Sequence, residues 1–449
     1  MLTLVFMLCL LAQLFCAHMC YKSTTNESRV PLYTTMKRKS TESWIEDVDK
    51  ASNARTIFLL IKGFLGTAVI FLPKAFYAGG MLPSTLMMGF SAIISGVASC
   101  YLVNAAAVIP GTYQDIAGVL YGPKFKKLVL MSIGIGQLCF SMTYILFISS
   151  NAKDLISTIT GCKVDIDVSL LILAEFIVFI PMILMRQVRS LALIAMAGNF
   201  CMIGAIIYIL YNDVIQLGSH KIEPKYTSDI SGVIMIFNVS LLVFSAIGLL
   251  IPIRQASAEP LKMPRFIWLT LAFIFMLCTT VGIMSALAFG SSTETIVLLN
   301  LPNGILLQIL QFGYIFAITV SVPLQMFPAF EIFEANLFPN PSLGHKSTKR
   351  QELQRSALRV VIMILTCFVA YMFASVLDLF VSLVGAFICI PLTFIYPPLL
   401  HLKATKTKGL GNKLMLGFAV VAMVVSTGIT VKNMLSGQKD EQINRCLEV

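Results

Sequence analysis

Charge is what this sequence is short of. Only 12% of its 449 residues are Asp, Glu, Lys or Arg, against about 25% in ordinary soluble domains, so most of its surface faces something other than water. Histidine is scarcer still: the four are His18, His220, His345 and His401, all in tails, loops or the ends of apolar runs. There is no HExxH, no GxSxG, no P-loop and no Cys/His ligand cluster. The residue sets needed for metal-assisted hydrolysis, acyl transfer or nucleotide hydrolysis are therefore missing, and a membrane enzyme is not expected. Ten-residue alternation of polar and apolar residues is also lacking, which excludes a β-barrel. No ring-forming filter motif or charge ladder points to a channel.

What fills the chain is apolar: 57% of it, with 28 glycines besides. A helix needs about 20 apolar residues to cross the hydrocarbon core. Blocks of that order lie near 57–79, 83–109, 128–150, 168–185, 190–211, 230–253, 266–290, 304–330, 356–377, 379–400 and 411–431. This predicts an all-α polytopic membrane protein with 11 core spans in a transmembrane domain over 56–434. The net charge of +11 is a matter of topology rather than of nucleic-acid binding. With the tail before the first core span placed in the cytosol, 24 Lys and Arg fall on the cytosolic side and 7 on the other. Lys62 and Lys74 lie within the first span. The short loops alternate as the positive-inside rule requires, so the basic tail over 21–55 is expected to be cytosolic and the short tail over 435–449 non-cytosolic. Most cysteines sit inside apolar runs, Cys100, Cys139, Cys201, Cys278, Cys367 and Cys389 among them, and only Cys162 and Cys446 fall in segments assigned to the outside. No disulfide framework is expected.

A further hydrophobic segment lies over 1–20 and lacks the basic n-region of a signal peptide. Three readings stay open for it: an uncleaved extra helix, a cleaved signal, or an upstream start that leaves the working chain to begin near Met36. Asn26-Glu27-Ser28 is a glycosylation acceptor only if the tail is lumenal.

The informative places are the interruptions. The first core span reads IKGFLGTAVIFLPKAFYAGG over 61–80, with Gly63, Gly66 and Thr67 weakening the middle of a helix and Pro73 removing a further backbone bond. The sixth reads IFNVSLLVFSAIGLLIPIRQ over 236–255, with Ser245 and Gly248 at the corresponding place and Pro252 closing the segment. Gly66 precedes Pro73 by seven residues, and Ser245 precedes Pro252 by the same interval. These spans open two consecutive five-span halves, a first repeat over 56–212 and a second over 230–401, with the helix over 411–431 left over. Paired interruptions of this kind mark the midplane binding site of a transporter, and an odd number of spans per half sets the two repeats in opposite orientation. An unwound backbone with a half-helix N-terminus suits a carboxylate, and free carbonyls at the other half-helix end suit a cation. An α-amino acid carries both charges. The bland reading is glycine used only for close packing between helices.

The stretch over 57–80, with GLLIPI (248–253), TIVLLNLP (295–302), VPLQMFPAFEIFE (322–334) and FVSLVGAFICIPLTFIYPPLLH (380–401), resembles the amino acid/auxin permease family, especially its vacuolar and proton-assisted amino-acid transporter branch. The resemblance implies a LeuT-like, APC-type five-plus-five inverted repeat and amino-acid transport coupled to protons. It favours a vacuolar or lysosomal membrane, with the plasma membrane as the alternative. Two departures stand out. Where the branch carries a Phe-Glu-Gly-Ile-Gly pattern in the sixth span, this chain has Phe244-Ser245-Ala246-Ile247-Gly248, and it has no His in the second span.

The expected substrate site is therefore Gly63, Gly66, Thr67, Phe244, Ser245 and Gly248, with Tyr144 of the third span lining it. Gln137, seven residues before Tyr144 and on the same face, lines the site or bonds to a neighbouring helix. Lys62 is either a counter-charge beside the unwound segment or a snorkelling residue near the cytosolic end. Thr319 and Ser321 offer oxygens to a cation or bond back to their own helix. Glu175 and Asp378 are expected in ion pairs or at interfaces, and Glu331 and Glu334 in solvent. No metal or cofactor is expected beyond a coupling ion, H+ or Na+. Small neutral amino acids and the lipid bilayer are the expected partners. A sensor that binds amino acids without moving them, or a uniporter, has the same site requirements.

Overall fold

A computed structural model describes residues 50–163, 166–185, 188–219, 229–338, 349–406 and 409–436. The hydrophobic segment over 1–20, most of the basic tail, nearly all of the C-terminal tail, and His18, His220 and His345 lie outside the described residues. Fifteen α-helices, counted among the described residues, run in chain order. They are α1 Asn53–Phe64, α2 Leu72–Gly79, α3 Met81–Val108, α4 Tyr113–Tyr121, α5 Pro123–Ile159, α6 Val168–Leu184, α7 Val188–Ser219 and α8 Ile230–Val243. After them come α9 Ile247–Ala256, α10 Met263–Phe289, α11 Ile305–Leu337, α12 Lys349–Met372, α13 Leu377–Val384, α14 Tyr396–Thr405 and α15 Leu410–Leu435. Nine described helices are long and apolar enough to cross a membrane, ten if the bent pair at the start is one span, and α6 is a shorter apolar helix of 17 residues.

Each apolar block coincides with one of these helices or broken pairs, but the helices outrun the blocks. The block over 128–150 belongs to α5, which extends to Ile159 past Lys153 and Asp154, because a helix continues through charge once it leaves the hydrocarbon. Pro73 sits in the first turn of α2, where its missing N–H costs nothing. Pro252, expected to close its segment, instead lies inside α9.

The packing brings backbones close. A Cβ on Gly232 of α8 would lie 2.1 Å from the carbonyl oxygen of Ala78 in α2, and one on Gly385 would lie 2.1 Å from that of Asn238 in α8. Only the absence of a side chain lets α8 rest against both neighbours. Gly385 opens a π-helical stretch, Gly385–Cys389, followed by a second over Pro391–Ile395. This wider winding is common at functional sites. Beside it Asn238 donates to Ser382 at 2.9 Å, and Ser240 and Ser91 bond at 2.7 Å. On the side assigned to the cytosol, Ala51 pairs with the segment after α9 (Ala51 N to Ala256 O 2.8 Å, Ala258 N to Ala51 O 3.0 Å). Asn53 adds a bond to Glu259 at 2.7 Å.

Two expectations on polar residues need correction. Glu334 is not solvated: Arg359 donates to it at 2.6 Å, both side chains are 13% exposed, and the guanidinium also reaches the Ile183 carbonyl at 3.1 Å. The fork of Arg satisfies two acceptors on different helices, which the chain spacing does not reveal. Cys162, beyond the end of α5, is disulfide-bonded, contrary to the expectation of no disulfide.

Overpacking a tight core costs about 1–3 kcal/mol. Gly385→Ala is therefore expected to lower the unfolding midpoint in detergent by several degrees. Gly428→Ala, where an added Cβ meets nothing within 4 Å, should leave it unchanged. Differential scanning fluorimetry of the two variants measures the contrast.

Candidate functional site

The first break falls where the glycines placed it. α1 ends at Phe64, its last turn closed by the Leu65 amide on the Ile61 carbonyl at 2.7 Å. Gly66 is extended (φ −105°, ψ −171°) and a 3₁₀ turn over Thr67–Phe71 leads into α2. The two halves are bent by 43°. The second break follows Val243: the Phe244 amide returns to Ser240 O at 3.0 Å, the Ser245 amide to Leu242 O at 3.4 Å, and α9 restarts at Ile247 without a side-chain cap. Each break leaves helix-end amides and carbonyls without intrahelical partners, and both are held inside protein.

The breaks meet. A Cβ on Gly63 would stand 3.2 Å from Leu249 Cδ1 and 3.7 Å from Ala246 Cβ, so α1 and the start of α9 are in contact. A Cβ on Gly66 or on Gly248 would meet no atom within 4 Å. Both glycines thus border open space beside two helix ends. Around it, the Thr67 and Tyr144 hydroxyls are hydrogen-bonded, joining the first break to α5. Ser245 lies close to the Cys389 thiol in the π-helical stretch, so the second break faces that segment. Gly63 thus lies against Ala246 and Leu249 at the start of α9, and Thr67 lies beside Tyr144, while Gly248 is exposed.

Phe244 is 1% exposed and packed within the core. Lys62 is exposed on the last turn of α1, where an ammonium complements the negative end of the helix. Thr319 and Ser321 donate to their own helix, to Ile315 O and Ala317 O at 2.8 Å each. Gln137 is bonded to Gln325 of α11 and serves packing.

Sequence reasoning passed over Tyr314 and Cys389. Tyr314, on α11, is 2% exposed, packs edge-on against Phe147 with centroids 5.0 Å apart, interacts with Tyr144, and keeps a buried hydroxyl without a hydrogen-bond partner. Within an apolar run nothing marks it. Cys389 carried no signal beyond its membership of a family-like stretch. The groups collected here are hydroxyls, a thiol, apolar side chains and backbone ends.

Against known proteins, a family model described as transmembrane amino acid transporter protein matches residues 49–435. The chain is 34% identical over 354 residues to vacuolar amino acid transporter 3 of Schizosaccharomyces pombe, covering 79% of this chain and 54% of that one. It is 32% identical over 401 residues to vacuolar amino acid transporter 3 of Saccharomyces cerevisiae, covering 85% and 57%. The chain thus spans about half the length of these curated relatives. Among solved structures, the inward-facing conformation of Mhp1 superposes with a TM-score of 0.56 at 10% identity, over 86% of this chain and 91% of that one. At that identity the likeness concerns the fold alone, which is the LeuT-like inverted repeat.

Thr67→Val and Tyr144→Phe each remove one partner of the hydroxyl pair and should each cost about 1 kcal/mol of stability. The double variant is expected to lose little more than either single one, as for any pair that acts together. Additive losses in thermal unfolding would show that the pair is not coupled.

Proposed function

The chain belongs to the transmembrane amino acid transporter family, and from that premise we propose that it moves small neutral amino acids across a membrane by alternating access. The observation that carries the proposal is the meeting of two broken helices, Gly63 of the first against Ala246 and Leu249 of the second, with open space at Gly66. The substrate carboxylate docks on amides at the start of the 3₁₀ turn, around Thr67. Its ammonium meets the carbonyl end of α8 and the Ser245 hydroxyl. Its side chain lies toward Tyr144 and Tyr314. In this reading the first repeat covers 56–212 and the second 230–401. The bundle of α1–α3 and α8–α10 then rocks against the remaining helices, α15 (411–431) standing outside the repeats.

The membrane is vacuolar or lysosomal in this proposal, which draws on the vacuolar names of the relatives. The tail preceding α1 is cytosolic. The charge distribution supports that orientation, and so does Cys162. A disulfide forms in an oxidising compartment, and the α5–α6 loop lies on the non-cytosolic side when the tail is inside.

Purified protein in liposomes is expected to take up neutral amino acids saturably. Gly66→Phe should express and unfold normally, since its Cβ enters open space, yet lose at least about tenfold in affinity by filling the carboxylate site. Retained affinity in that variant would overturn the site. Binding without flux in the wild type would make the protein a sensor.

A further inference from the structure

Two carboxyl groups within the helical core, Glu175 and Asp213, have no cation bonded to them among the described residues, and they share one arrangement. Ser149 of α5 donates to Glu175 Oε1 at 2.6 Å, and Ser285 of α10 donates to Asp213 Oδ2, also at 2.6 Å. In each the second oxygen is buried and has no hydrogen-bond partner among the described residues. Asp213 and Ser285 are both 0% exposed. An ionised carboxylate enclosed in this way, with one donor and no counter-charge, costs several kcal/mol. A neutral one costs far less.

Their neighbours distinguish the two. Glu175 lies on α6, beside Ser149 on α5 and close to Cys367 on α12, all in the part of the molecule that stays together when the bundle rocks. Asp213 lies on α7 in that same part, but its partner Ser285 lies on α10 of the moving bundle. The bond sits within two turns of the non-cytosolic ends of both helices, at Ser219 and Phe289. Separation of α7 from α10 on that side admits water to Asp213, and water favours the ion. Closure encloses the group again.

We propose that Asp213 is a proton-binding site that gates closure of the non-cytosolic side. This rests on the alternating-access reading above. In the open state the Asp213 carboxylate takes one proton from water on that side. The neutral carboxyl then accepts the Ser285 hydrogen bond through Oδ2, with the proton on Oδ1, and α10 closes on α7. Reopening returns the proton to the same compartment. The proton is not carried across, so it sets the rate of closure rather than the stoichiometry of transport. Acid on that side drives the molecule toward its cytosol-facing form.

Titratable side chains on the elements packed here include Cys201, Tyr208 and Tyr211 on α7, Arg265 and Cys278 on α10, Tyr314, Glu331 and Glu334 on α11, Lys74 and Tyr77 on α2, and Glu294 beyond α10. None is hydrogen-bonded to Asp213 among the described residues. The site therefore answers to its own proton and to burial.

The test compares wild type and Asp213→Asn, whose amide oxygen still accepts from Ser285 while no longer titrating. Hydrogen–deuterium exchange of the peptides spanning 213–219 and 285–289 reads opening without requiring transport. Wild type should exchange at least about fivefold faster at about pH 7.5 than at about pH 5, after correction for intrinsic rates. The variant should stay slow at both. Uptake at saturating amino acid should show the same loss of pH response, with substrate affinity unchanged. Equal exchange at both pH values in wild type, or a full pH response kept in Asp213→Asn, would overturn the gate. If exchange follows the pattern while wild type moves no amino acid, the gate stands and the transport reading falls.

Discussion

In hydrocarbon an unpaired backbone amide or carbonyl has no water to turn to, and this single constraint organises the molecule. It requires long helices, and it permits a helix to break only where other protein covers the break. The interruptions at Gly66 and at Ser245 are covered by one another and by α5 and the π-helical stretch before α14. Their exposed helix ends are therefore a resource rather than a defect. The glycine contacts at Gly232 and Gly385 belong to the same scheme, since they bring α8 close enough to its neighbours to enclose its broken end.

Polar side chains in the interior divide by what they join. Ser240 with Ser91 and Arg359 with Glu334 pair a donor with an acceptor and fix one helix against another, and Asn238 does so through its amide nitrogen on Ser382. At the breaks the Thr67 hydroxyl meets that of Tyr144, and Ser245 lies beside the Cys389 thiol. Asp213 and Glu175 form a third group, held by one serine each and leaving an oxygen unpaired. A fully satisfied network rigidifies, whereas a half-satisfied one is sensitive to a proton or a ligand. The absence of the sixth-span carboxylate at Ser245 consequently does not leave the protein without a protonatable group: two others are buried elsewhere.

Much of the fold was legible in the chain. Apolar length placed the helices, and Gly66 and Ser245 placed the breaks to within a residue or two, whereas Pro73 and Pro252 lie inside the helices that follow them. The contact of Gly63 with the start of α9 followed from setting the two interrupted spans opposite each other. For Gln137 and Thr319 the sequence left two readings open, and the structure has Gln137 bonded to Gln325 and Thr319 turned onto its own backbone, while Phe244, expected to wall the site because it borders the break, packs inward.

The reason lies in what each level of information contains. Sequence by itself determined that the chain is helical, that it belongs in a membrane, and where its backbone cannot stay helical, because those properties depend on residues close together in the chain. Spacing along one helix says which residues share a face but not which helix that face meets. Asp213 and Ser285 are 72 residues apart, and Gln137 and Gln325 are 188 apart. Only the tertiary packing decided that the first pair bridges α7 and α10, that the second joins α5 to α11, and that Gly63 of the first half lies against Ala246 and Leu249 of the second.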